Sequence, residues 1–533
     1  MDEAEAKLAE IQNQINIHGH SDNLLTEERI AQADLDQALN KQDLFWKEKS
    51  RVNWHLNGDR NTKFFHQVTK IKNKTKVISS LRNDEEIITD PNVISNHIVN
   101  YYSNLFSTNP FLQDDLLVEE VIPSLIDENT NNLLTMIPNE DEIKAAVFSM
   151  NRDGAPGPDG FGACFFQSYW SIVHKEVSEA VVEFFTTGRI HSNFNANSLI
   201  LIPKSHNADT LEQYRPIALA NFKFKVISKV LADRLANILP NIISVEQKGF
   251  IKGRNIKECM ILASEAINVL DKRSFGGNIA MKIDVSKAFD TLNWDFLINV
   301  LHCFGFSQVF CDWIKNILLS ARVSVCVNGT QQGYFNCKRG VRQGDPLSPL
   351  LFCIAEEVLS RGISKLVDEG KLELINASRS AKIPSHCFYA DDLMVYCKGK
   401  IVGLEALKNL FIRYANCSGQ IINTSKSSFF AGGISQHRLD SIVNLLGFSQ
   451  GSLPFTYLGA PIFKGKPKKI YFQSIADKIK LKLASWKASL LSIAGRVQLV
   501  KSVVQSMLLH TMNIYSWPVN LLRDIERWMK IFI

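Results

Sequence analysis

Two adjacent acids, Asp391 and Asp392, interrupt the apolar stretch CFYADDLMVYC. The alternation on either side predicts two strands, His386–Ala390 and Leu393–Cys397, with the acids at the tip. Two ionised carboxylates in that position repel one another and lose hydration. A hard divalent cation relieves both penalties: carboxylate oxygens suit Mg²⁺, which usually takes only one or two from the protein. Taken alone, the pair reads more readily as a plain Asp-Asp hairpin turn. Asp284 shifts the balance. It ends an apolar strand, Asn278–Val285, and precedes the helix of SKAFD. One carboxylate from this strand and two from the hairpin would suit two Mg²⁺ ions, which clamp the attacking and leaving oxygens of an in-line phosphoryl displacement. By itself Asp284 would pass for a helix N-cap. Asp290 reads as a first-turn acid that complements the helix dipole.

Between these acids lies RGVRQGDPLSPLLF, Arg339–Phe352. Gly340 and Gly344 allow close backbone approach, and Gln343 offers amide donors and acceptors. Asp345-Pro346 and Ser348-Pro349 open a long apolar helix over 348–363. A rigid Gly-rich turn entering a helix N-terminus suits a phosphate or a base pair packed against backbone. The plainer alternative is a loop that simply leads into a helix.

The elements that must position these groups follow from periodicity. Residues 1–50 read as helix, 76–90 as a short strand pair, and 91–150 as helices punctuated by Pro91, Pro123 and Pro138. GAPGPDG, Gly154–Gly160, is the densest turn signal. A helix over 162–186, a strand Leu199–Pro203, and helices over 222–239 and 256–272 come next. After Asp284 a helix runs from Phe289 by way of Trp294–Leu301, and Val323–Asn328 with Tyr334–Lys338 alternate as hairpin strands. The last 70 or so residues are helical, with Ile475, Ile479, Leu483, Trp486 and Leu490 on one face.

The chain has 533 residues, 45% of them hydrophobic and 21% charged, which excludes a disordered chain. Its ten cysteines contain no C-x-x-C pair, so neither a zinc site nor a disulfide framework is expected. With an acidic, helical start and no long apolar run, the chain is expected to be soluble and intracellular. Net charge is +6, but unevenly spread. Residues 1–40 carry nine acidic and two basic side chains, whereas 464–501 carry ten basic and one acidic. Such asymmetry hints at a polyanionic partner. Lys478 and Lys482 lie one turn apart on the basic helix and, with Arg496, suit the phosphates of a nucleic-acid duplex; a solvated helix face is the simpler reading.

The ordered set KIDVSKAFD, RGVRQGDPLSP, FYADD and SGQIINTSKS resembles the reverse-transcriptase palm, and most closely the polymerase of plant non-LTR (LINE-type) retrotransposons. WHLNGDRNTKFFH (54–66), GAPGPDGF, LILIPK, YRPIALAN, QKGFIKGR, YLGAPI and WKASLLSIAGRVQLVKSV agree with it, so the resemblance spans about residues 45–533. It implies an RNA-directed DNA polymerase with an α/β right-hand fold: fingers mainly from 140–280 and 296–340, a palm of antiparallel sheet on helices from 278–295 and 341–462, and a helical thumb from 463. In domain terms the expectation is a helix-rich region over 1–140, a reverse-transcriptase domain over 185–462 and a basic, truncated thumb over 463–533. The resemblance makes Asp284, Asp391 and Asp392 the ligands of two Mg²⁺ ions. Phe289 becomes the ring that screens the sugar 2′-OH, where otherwise it is a core phenylalanine. Gln343 and Gly344 become the turn against the incoming nucleotide and template base. Lys204 and Arg215 resemble cations that hold the triphosphate, and Lys426 a lysine that assists pyrophosphate departure; surface charge is the plainer account of each. The implied partners are an RNA template, a DNA primer and dNTPs, and the implied location is the nucleus or a ribonucleoprotein particle. The family's full product carries an endonuclease before this region and often a Cys/His module after it, so a truncated copy is expected. A catalytically inactive nucleic-acid-binding remnant is the alternative, and an intron-maturase-like protein a weaker one. A viral RNA-dependent RNA polymerase is disfavoured by YADD and by the bulk of Phe289.

Overall fold

The computed structural model describes residues 2–50, 77–107, 116–191, 193–205, 207–377, 382–486 and 491–533. The string over 54–66 lies outside them. The chain divides into two compact units, Ile78–Lys466 and the pair of segments Met1–Val77 and Pro467–Ile533. Residues 78–140, expected to lie with the N-terminal region, therefore belong to the same unit as the sheets. Asn328 is one reason: its side chain accepts from the Ile78 N–H at 2.8 Å and donates to the Ile78 carbonyl at 3.0 Å.

The larger unit is built on two sheets. Its principal strands are β1 (Ala196–Pro203), β2 (Tyr214–Ala220), β3 (Asn278–Ile283), β4 (Arg322–Val327), β5 (Thr330–Asn336), β6 (His386–Tyr389), β7 (Asp392–Lys398), β8 (Ser428–Gly432) and β9 (Ser449–Gln450). One sheet has four strands in the order β2-β1-β4-β5, the other five in the order β9-β8-β3-β7-β6. The five-stranded sheet is antiparallel except where β8 meets β9. Strand β3 lies at its centre, and five of its six residues are buried, so it reads as a continuous apolar run. Strand β5 is an edge whose residues are mostly exposed, and it keeps polar side chains.

The helices that matter for the site are α1 (Phe222–Ile242), α2 (Ile256–Asn268), α3 (Ala288–Thr291), α4 (Trp294–Phe304), α5 (Ser348–Asp368) and α6 (Ile401–Ser418). Pro349 begins α5, where a missing N–H costs nothing. The helix expected from Phe289 through Leu301 is in fact two. Asn293 interrupts it in extended conformation, and its side chain accepts from the Phe296 N–H, capping α4. The segment 214–220 was not expected to be a strand; Pro216 tolerates β2 because that strand is a sheet edge.

In the other unit, helices Asp2–His18 and Asp22–Ser50 break at Gly19, which has φ +79°. Leu8, Ile11, Ile15 and Ala31 form their shared core. A further helix, α7 (Lys469–Ser485), buries Phe472, Ala476, Ile479 and Leu483. Ile475, expected on that face, is only half-buried. Among the described residues no helix is long and apolar enough to cross a membrane.

Candidate active site

Tyr389 pairs with Asp392 across the β6–β7 hairpin, so Ala390 and Asp391 are its two turn residues. Ala390 takes the left-handed conformation, φ 55°, that so short a turn requires. In the next ladder Ile283 pairs with Leu393. Continuing that register sets Asp284, one residue beyond β3, opposite Asp392. Asp284, over 100 residues away in sequence, thus comes to the same end of the five-stranded sheet as Asp391 and Asp392.

The electrostatics agree with this placement. Burial raises the Asp391 carboxyl above the usual carboxylate range, helped by the charge of Asp284 and opposed by Arg215. Burial and the charges of Asp391 and Asp284 push Asp392 up to about 6, against the pull of Lys282. Asp284 itself is anchored through its backbone: its N–H donates to Ser427 Oγ at 3.1 Å and its carbonyl accepts from Asn423 N–H at 2.7 Å.

The hairpin tip is held from behind. The side-chain oxygen of Gln247 accepts from the N–H groups of Ala390 and Gly249, and Lys248 N–H and Glu246 carbonyl pair with Phe388. Gly249 lies so close that a Cβ there would come within 2.5 Å of Ala390 N. Nothing local in QKGFIKGR marks Gln247 for this role, because its partner is 143 residues away.

Phe289 lies on α3, half-buried, with its ring stacked on Phe352 of α5 at 4.3 Å and 14°. Asp290, in the same turn, is buried rather than solvated; burial pushes its carboxyl up to about 7 despite Lys287, Lys204 and Arg339. The Gln343 carbonyl accepts from Ala218 N–H at 2.7 Å, which seats this turn on β2. Gly344 has φ 113° and a Cβ there would meet the Ala218 carbonyl oxygen at 2.6 Å, so only glycine fits. The turn is locked by Arg342, whose guanidinium binds Asn195 Oδ1 and Asp345 Oδ2 and lies over the Phe224 ring.

Lys204, Arg215 and Lys426 are exposed, and the three share one electropositive neighbourhood. Burial of its stem together with Lys426 and Arg215 lowers the Lys204 ammonium below its ordinary range. Lys204 Nζ donates to the Glu212 carbonyl at 2.8 Å. Two further lysines, Lys282 and Lys287, flank Asp284 in sequence. Lys282 Nζ donates to the Thr456 carbonyl at 3.1 Å, and Lys287 Nζ to Tyr101 Oη at 2.7 Å. Lys478, Lys482 and Arg496 belong to the other unit. The two lysines are exposed on α7, whereas Arg496 is half-buried and donates to the carbonyls of Leu491 and Ile533.

Among the described residues no group of three or more His, Cys, Asp or Glu is compact enough to form a metal cage. The chemistry of the donor set nevertheless fits a hard divalent ion. It is all carboxylate, the charge of Asp284 helps to raise Asp391 and Asp392, and such ions complete their shell with water and substrate oxygens.

Residues 202–462 match the family described as "Reverse transcriptase (RNA-dependent DNA polymerase)", and all three aspartates fall inside that stretch. That stretch, just under half of the chain, is thus similar to reverse transcriptases. A Xenopus laevis protein described as "Transposon TX1 uncharacterized 149 kDa protein" is 26% identical over 500 residues, 91% of this chain and 37% of its own length. The Pol polyprotein of retrotransposable element R2DM from Drosophila melanogaster is 26% identical over 287 residues, 54% of this chain and 26% of its own. The chain spans about a third of the length of these relatives. Apo telomerase from Candida tropicalis aligns over 68% of either chain at 14% identity, with a TM-score of 0.37.

Proposed function

We propose that the chain copies RNA into DNA, extending a primer 3′-OH with deoxynucleotides, as the polymerase of a non-LTR retrotransposon. The observation that carries this reading is the register that sets Asp284 opposite Asp392, with Asp391 at the adjoining tip. Asp284, Asp391 and Asp392 would hold the Mg²⁺ ions. Bound there, the ions would stabilise charge on the attacking and leaving oxygens. The remaining roles belong to side chains. Lys204, Arg215 and Lys426 attract and orient the triphosphate through charge. The Phe289 ring fills the space that a 2′-OH would need. Gln343 and Gly344 present a backbone surface to the base pair. Lys478 and Lys482 attract the phosphates of the template–primer duplex, a contribution that weakens with salt. In this reading the four-stranded sheet with its helices serves as fingers, the five-stranded sheet as palm and α7 with its neighbours as thumb.

Affiliation with plant elements is supported by a 66-residue stretch 42% identical to a mitochondrial protein of Arabidopsis thaliana described as uncharacterized. The chemistry would place the chain with its template RNA, in the nucleus or a ribonucleoprotein particle.

Primer extension on an RNA template with dNTPs and Mg²⁺ at low salt tests the reading. The wild type should extend, and the Asp391→Asn, Asp392→Asn double variant should not, although it folds. Extension by the double variant would overturn the assignment. Hybrid binding without extension by either protein would leave nucleic-acid binding as the function.

A further inference from the structure

Helix α5 buries two acids, Glu356 and Glu357, each about 1% exposed. Glu357 is paired with Arg361 and with Ser244. Among the described residues no cation is paired with Glu356 or among the groups that shift it. Its Oε1 lies 3.0 Å from Tyr414 Oη of α6, and its Oε2 has no hydrogen-bond partner among the described residues. The same Tyr414 oxygen lies 2.9 Å from Gln420 Oε1, and Gln420 Nε2 donates to the Ala288 carbonyl at 3.2 Å. Tyr414 and Gln420 are fully buried.

Proton counting orders this chain. A phenol has one proton, yet Tyr414 sits between two oxygens. Turning the Gln420 amide round would set its oxygen against the Ala288 carbonyl oxygen at 3.2 Å, so Gln420 Oε1 must accept from Tyr414. The contact between Tyr414 and Glu356 is then a hydrogen bond only if the carboxyl donates. Burial, the largest influence, favours the same protonated form, with the charge of Asp391 adding to it and the hydrogen bonds of Tyr414 and Gln420 opposing it.

The far end of the chain is Ala288, the residue before Phe289. The Phe289 ring rests on Phe352, one helical turn before Glu356 on α5. Helix α5 thus grips the start of α3 twice, once by ring stacking and once through a line of hydrogen bonds that runs from Glu356 through Tyr414 and Gln420 to the Ala288 carbonyl.

We infer that Glu356, as a neutral acid, and Tyr414 and Gln420 form a proton-ordered relay that fixes the Ala288 carbonyl and so sets the Phe289 ring. They are positioning residues for deoxynucleotide over ribonucleotide selection. The inference rests on the polymerase reading for what Phe289 discriminates, but the protonation order stands on the geometry alone.

The experiment compares dNTP with rNTP incorporation on an RNA template by wild type, Tyr414→Phe, Glu356→Gln and Glu356→Ala, each checked for folding by circular dichroism. Tyr414→Phe and Glu356→Ala should lower the preference for deoxynucleotides roughly tenfold, mainly by improved use of rNTPs. Glu356→Gln, whose amide N–H donates in place of the acid O–H, should keep the preference within about twofold. Wild-type selectivity in Tyr414→Phe, or equal loss in Glu356→Gln and Glu356→Ala, would overturn the relay. Should Tyr414→Phe fail to fold, the two Glu356 variants decide. If the wild type extends no primer, it is the polymerase reading that fails. The relay is then judged by infrared difference spectroscopy at neutral pH: a protonated-carboxyl band lost in Glu356→Gln supports it, and no such band overturns it.

Discussion

The side-chain oxygen of Gln247 accepts the main-chain N–H of Ala390 at 3.0 Å, at the tip of the hairpin that carries Asp391 and Asp392. The same oxygen accepts Gly249 N–H at 2.8 Å, so one amide aligns the carboxylates against the segment behind them. Replacing it with an apolar side chain of similar size strands two buried N–H groups, each at a cost of about 1–3 kcal/mol. Gln247→Leu should therefore lower the melting temperature and cut primer extension at least tenfold. An unchanged extension rate would show that the tip is positioned without this amide.

The aspartates should destabilise the metal-free protein. A carboxyl raised from 3.8 to about 6 in the folded state costs stability once pH exceeds the unfolded value, and the whole cost is present above about 6. At pH 7.5 without divalent cations, Asp392→Asn should be more stable than wild type, by on the order of 1–2 kcal/mol after allowance for solvent screening. At pH 3.5 the two should melt together. Mg²⁺ should raise the wild-type melting temperature more than that of the variant. Chemical denaturation in EDTA and in Mg²⁺ measures both differences.

Phe289 supports the fold as well as the proposed selection, because its ring is stacked on Phe352. Phe289→Ala should raise relative ribonucleotide incorporation roughly tenfold or more. It should also lose part of the stacking and burial energy, which for so partly exposed a ring is about 1–2 kcal/mol. Steady-state single-nucleotide incorporation separates the two effects, since only the first alters the ratio of rNTP to dNTP use.

Glu356 gives the stability curve a sign that can be checked. Its carboxyl is pushed up to about 8 by burial, facing Asp391 and the Cys353 thiol as well as Tyr414. Below the unfolded value of 4.5 both states hold the proton and stability is full. As pH rises towards 8, the folded state retains a proton that the unfolded state has lost, so stability falls. Glu356→Gln removes that slope. The difference between variant and wild type should be near zero at pH 4 and should favour the variant by about 3 kcal/mol at pH 9. A flat difference across this range would mean that Glu356 is ionised throughout.

Much of the site was legible because its signals are local. Acids at the tip of two alternating strands, and an acid ending an apolar strand, are visible within a dozen residues, and the hairpin and β3 formed where periodicity put them. What stayed hidden depends on long-range contact. Gln247 is an ordinary polar residue until its partner 143 residues away is known. Asn293 breaks the expected helix because it caps α4, a signal present in the sequence but outweighed by apolar spacing. The strand at 214–220 was masked by Pro216, which only an edge accepts. Glu356 did leave a trace: two acids amid SPLLFCIAEEVLS are costly inside a buried helix, which itself signals a polar network. Which groups complete that network follows only from the packing of α5 on α6.

The left-handed backbone of Ala390 has a bearing on how such a chain changes over generations. An alanine with φ 55° carries strain that glycine would not, worth about 1 kcal/mol. A search for heat resistance alone would therefore favour Ala390→Gly. Yet glycine would also free the turn to swing, and the angular spread of Asp391 and Asp392 would widen. The methyl group at this one position marks a compromise in which durability gives way to aim.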